Sequence, residues 1–163
     1  MRKTLTPPAA ILSLIFALIL SGALVSPPSA DPAGDDGIIR GRSSYPFHET
    51  VERLRNDVAS KGIMFFSVID QAKLARDAGL TIIPSTLLVF GNPPLGTQFI
   101  AAKPQAGLDW PVRLLVQEDA NGQVWVSYTD FAWIARRHGV QGEKSFAKAS
   151  EVIAAITSSV VKN

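Results

Sequence analysis

The chain contains no cysteine and only two histidines, His48 and His138, in 163 residues. Without cysteine there is no disulfide, no thiol nucleophile and no thiolate metal site. Two histidines outside any H-E-x-x-H spacing make no recognisable zinc site, so neither a metal nor a cofactor is expected. An excess of one charge is missing too. The 16 basic residues fall to 14 once Arg2 and Lys3 at the extreme N-terminus are set aside, level with the 14 acidic ones. That balance excludes the basic footprint of a nucleic-acid binder. No G-x-S-x-G elbow and no P-loop lysine spacing occurs, and beyond residue 25 no apolar run is long enough to span a bilayer.

What is present begins with a leader. Arg2 and Lys3 precede an apolar stretch over residues 9–25, and Ser21-Gly22-Ala23 and Pro28-Ser29-Ala30 each offer the small-residue pattern that signal peptidase reads. Residues 1–30 therefore read as an export signal, cleaved after Ala23 or Ala30, which sends the product to the periplasm or out of the cell. The alternative is an uncleaved anchor formed by residues 9–25. Residues 31–37 continue a breaker-rich linker, and residues 38–161 form a single domain large enough to fold around its own core.

Along that domain, residues 38–44 read as an opening strand. Phe47, Val51, Leu54 and Val58 fall on one helical stripe that ends at Lys61-Gly62. Residues 63–69 are apolar at both parities, the pattern of a strand covered on both faces. Asp70 caps a helix over residues 71–78, and residues 86–90 form another strand, closed by Gly91-Asn92-Pro93-Pro94. Residues 110–117 and 124–128 make a hairpin around Asn121-Gly122. Asp130 starts a short helix ending at His138 and Gly139, and residues 143–161 form an amphipathic helix. The expected class is α+β: a mainly antiparallel sheet of about five strands with helices on one face.

The hairpin separates two faces. Val112, Leu114, Val116, Val124 and Val126 share one parity and suit a core under helices; Arg113, Leu115, Gln117 and Trp125 share the other. The second face is too apolar to be simply wet, and its cover is a second copy of the chain, a ligand, or the elements between Leu95 and Leu108.

A set of residues also carries a family resemblance: Ser43-Ser44, Glu49-Thr50-Val51 with Leu54, Lys61-Gly62, Ile69-Asp70, the run Pro84-Ser85-Thr86-Leu87-Leu88-Val89-Phe90-Gly91-Asn92-Pro93, Leu108-Asp109-Trp110-Pro111, and Glu118-Asp119 with Gly122. In this the chain resembles the domain-of-unknown-function family numbered 302, across residues 38–161. The resemblance implies a helix-grip, TATA-binding-protein-like topology of strand, helix, four strands and helix, and a homodimer, with no settled activity. Gln71 stands where members commonly carry histidine after the aspartate, which weakens any role for an Asp-His pair at that point.

Each candidate site residue also has a purely structural reading. Asp70 suits a helix cap as well as a general base, and Asp109 suits a turn as well as a site carboxylate. Gly91 and Asn92 make a tight turn or present N–H groups to an anion. Arg113, a cation within an apolar strand, points to solvent, pairs with an acid, or receives an anionic ligand. Trp125 and Tyr128 read as cleft walls or dimer contacts, and His48 and His138 as surface or capping residues. No catalytic set emerges. The expectation is an exported, homodimeric interaction module that binds a small acidic ligand through Asp70, Gly91, Asn92, Arg113, Trp125 and Tyr128. Nucleic acid is not among its partners, and a membrane is one only if the leader is retained. The competing reading is a metal-independent hydrolase or isomerase using Asp70 and Asp109.

Overall fold

The computed structural model of the protein describes residues 34–161, so the leader and the first residues of the linker lie outside the described residues. Eleven elements follow one another: β1 Ile38–Arg42, α1 Phe47–Ser60, β2 Met64–Asp70, α2 Gln71–Asp77, β3 Ser85–Gly91, α3 Pro93–Ala102, a 3-10 turn Pro104–Asp109, β4 Val112–Glu118, β5 Val124–Thr129, α4 Phe131–His138 and α5 Lys144–Thr157. The strands pair antiparallel throughout in the order β1-β5-β4-β3-β2.

Alternation of side chains sorts the sheet into faces. Leu88 and Phe90 of β3, Leu114 and Val116 of β4, and Val124, Val126 and Tyr128 of β5 are buried beneath the helices. The α1 stripe adds Phe47, Val51, Leu54 and Val58, and α5 adds Phe146, Ala149, Ile153 and Ile156. Phe99 of α3 stacks on Phe146 at 4.2 Å between ring centroids and meets Phe131 of α4 at 5.7 Å, which ties three helices into one core. The hairpin turns where expected: Gly122 takes a φ of 74°, and its N–H donates to the Asp119 carbonyl at 3.0 Å.

Three expectations are corrected. Residues 64–70 do form a strand, but β2 lies at an edge of the sheet with most of its residues exposed, so its double-sided apolar pattern does not mean that its own chain covers both faces. Asn92-Pro93-Pro94 does not end in a loop: Asn92 Oδ1 accepts from Leu95 N–H at 3.2 Å, and the two prolines open α3. Tyr128 shares the parity of Val124 and Val126 and is buried in the core, on the face opposite Trp125.

The two edges differ. β1 carries Arg40 and Arg42; Ser43, just beyond it, bridges to Val161, whose side chain packs over Gly41. β2 carries no charge before Asp70.

Candidate functional site

The six residues read from the sequence as a ligand site do not converge. Asp70 lies opposite Thr86 on β3, level with Val116 near the far end of β4, and Trp125 pairs with Gln117 beside it. Gly91, Asn92 and Arg113 stand at the other end of the sheet, roughly 14 Å away along β4 at 3.4 Å per residue. Tyr128 is beneath the helices.

Local chemistry accounts for several of them. Asp70 caps α2, its Oδ1 accepting from Lys73 N–H at 2.8 Å. Trp125 donates its indole N–H to Asp119 Oδ2 at 3.0 Å, and Asp119 Oδ1 accepts from the N–H groups of Asn121 and Gln123. The indole bond, then the Gln123 N–H, hold the Asp119 carboxyl below its usual range. Burial pushes the Tyr128 hydroxyl up, with the Thr157 hydroxyl acting against it. Gly91 and Gly96 both lie against the Trp110 indole, and a Cβ on Gly96 would come within 1.9 Å of Nε1. With Asn92, Phe99 and Phe131 they line an apolar cavity of about 30 Å³, room for a single water.

The carboxylate that does gather partners is Asp109, at the end of the 3-10 turn and only 5% exposed. His138 of α4, 6% exposed, places Nε2 2.7 Å from Asp109 Oδ2. Arg137 Nη1 donates to both carboxylate oxygens at 3.1 and 3.3 Å, and Arg113 Nη2 lies 3.7 Å from Oδ1. His138 is therefore no surface cap; it fastens the 3-10 turn to α4. Sequence spacing gave no sign of this, because His138 and Arg137 lie 29 and 28 residues from Asp109. Among the described residues no serine or threonine hydroxyl is bonded to His138, so the pair lacks the third member of a nucleophilic triad. Asp70 and Asp109 stand at opposite ends of the sheet, which removes the two-carboxylate hydrolase or isomerase.

A second feature lies on β2. Of the eight exposed large apolar side chains among the described residues, seven fall between residues 64 and 83: Met64, Phe66, Val68, Leu74, Leu80, Ile82 and Ile83. They lie along the edge strand, α2 and the segment that returns to β3.

Comparison with known proteins places the fold. The family described as domain of unknown function DUF302 matches residues 39–160. The chain belongs to this family. A DUF302 crystal structure, of an uncharacterized conserved protein from Bacillus stearothermophilus, superposes with a TM-score of 0.67 at 18% identity, covering 74% of this chain and 94% of that one, which shows a shared fold. Over 106 residues this DUF302 chain is also 39% identical to proteins named fluoride-specific ion channel FluC 1 from Brucella suis biovar 1 (strain 1330) and Brucella abortus biovar 1 (strain 9-941). The match takes in 65% of this chain but only 42% and 39% of those proteins, so the chain spans about two fifths of the length of these relatives.

Proposed function

We propose that this DUF302 protein is an exported, non-catalytic interaction module that pairs with a second copy of itself and takes up a small acidic ligand. The observation that carries the pairing is the gathering of seven exposed apolar side chains on and beside an edge strand whose outer hydrogen-bonding groups are open. A second copy suits that edge by charge as well. In a two-fold antiparallel pairing centred on Ser67, the only charged residue of β2, Asp70, faces Met64 instead of its own equivalent. A pairing of β1 centred on Arg40 would set that arginine against itself. Each of the seven side chains is between 43% and 64% exposed, apolar surface available to a partner at this edge.

Export rests on the Arg2-Lys3 leader with its apolar stretch, and anchoring by residues 9–25 is the variant of the same reading in which the leader is retained. Mass spectrometry of the mature N-terminus separates them. The helix-grip topology implied by the resemblance is supported by the sheet order and by α5 packed on the sheet's core face. The relatives named as channels add a membrane context. Because no helix among the described residues is long and apolar enough to cross a bilayer, that context supports a companion domain beside a pore, not the conducting part.

Light scattering at micromolar concentration should give twice the mass of the mature chain. The absence of cysteine makes single-cysteine variants clean reporters. Ser67→Cys should cross-link to itself under mild oxidation, and Ser127→Cys, on the open sheet face, should not. A monomer overturns self-association. Cross-linking through position 127 alone overturns the β2 edge and moves the interface to that face.

A further inference from the structure

We propose that Arg113 and Arg137 form a seat for a small soluble oxyanion, a carboxylate or phosphate group, at the end of the sheet where β4 begins. The inference deepens the ligand-binding part of the proposed function and is independent of pairing through β2. Its starting point is charge. One buried carboxylate, Asp109, faces two permanent cations, so the cluster carries at least one uncompensated positive charge. Those cations are half in water: the side chains of Arg113 and Arg137 are 54% and 46% exposed. The acid that caps α4 does not pair with them. The Asp130 carboxylate caps the opposite end of α4, bonded to the N–H groups of Ala132 and Trp133, and among the described residues it makes no ion pair with either arginine.

Geometry adds preorganisation. Nη2 of Arg113 and Nη1 of Arg137 approach the same Asp109 oxygen at 3.7 and 3.1 Å, which holds the two forks within about 7 Å of each other, a span that one bridging carboxylate or phosphate group covers. Arg137 uses only Nη1 in its bonds to Asp109, and Arg113 uses only Nη2, in a long bond to the Leu108 carbonyl at 3.4 Å. Each guanidinium thus keeps donors for a ligand. Trp133, whose ring lies 5.6 Å from the Arg137 guanidinium carbon, limits where that fork can swing. The Asp109 carboxylate is only 5% exposed and its Oδ2 is taken by His138, so an incoming anion meets the exposed parts of the two forks first.

The test is calorimetric titration of the full exported protein with inorganic phosphate and with succinate at low ionic strength. Saturable binding of at least one is expected. Arg113→Ala should weaken it by about tenfold or more, and Arg113→Lys by a smaller factor, since lysine keeps the charge but loses the fork. Arg40→Ala, an exposed arginine outside the cluster, should leave it within about twofold. Arg113→Ala is the decisive variant because Asp109 retains Arg137 and His138 and the fold is kept. No saturation by the wild type, or equal binding by wild type and Arg113→Ala, overturns the proposal. Light scattering on Arg113→Ala should still give the dimer mass, so failure of the anion seat and failure of self-association are read separately.

Discussion

Asp109 shows how one side chain can hold two elements that are far apart in sequence. A carboxylate removed from water is tolerated only while donors meet its lone pairs, and His138 and Arg137 supply them. Replacing Asp109 with alanine strands a buried imidazole and frees the 3-10 turn from α4, so we expect urea denaturation to register a loss of about 1–3 kcal/mol. Tyr128 sets a limit at the other end of the pH scale. Burial raises its pKa above the ordinary 10.0, so the fold favours the neutral hydroxyl. That stabilisation is complete below the unfolded value and is lost as pH rises through the folded one. The absorbance of one tyrosine should therefore titrate above the ordinary range and coincide with the onset of alkaline unfolding. Asp119 works in the opposite sense: its lowered pKa contributes stability above 3.8 that vanishes as pH falls through the folded value, and Trp125 fluorescence should follow it.

Caps and strand edges act through whole elements. Asp70 satisfies an N–H of the first turn of α2 and gathers no other charged partner, so Asp70→Ala should cost about 1 kcal/mol in thermal unfolding and leave anion binding unchanged. Much of this layer is legible in the sequence. The helical stripe of α1, the Asn121-Gly122 hairpin, the Asp70 and Asp130 caps and the α+β class all follow from periodicity and turn chemistry, which are local. Tyr128 was misplaced beside Trp125 although its signal was there: a period of two from Val124 and Val126 puts it inside. The α3 signal was there in Asn92 followed by two prolines, a cap and a helical first turn, but the same residues also serve as a loop. β2 was not legible. An apolar strand reads alike whether its own helices or another copy covers it, and only the sheet order places it at the edge. Nor was the Asp109 cluster, because tertiary packing alone brings α4 to the 3-10 turn.

For the molecule as a whole, the proposed pairing links stability to concentration. Unfolding of a dimer releases two chains, so the melting midpoint should rise by about 2–4 °C for each tenfold increase in protein. Val68→Lys, which adds a charge to the open edge, should abolish that slope and leave a folded monomer. The inequality of the two edges also sets a ceiling on growth. A sheet that accepts a neighbour on one side can be extended once. After the second copy docks, both outermost strands of the joined sheet are β1, with their arginines and the Ser43–Val161 bridge at one end. In the proposed pair addition therefore terminates at β1, and crowding more chains together is expected to fill pairs without drawing them into ribbons.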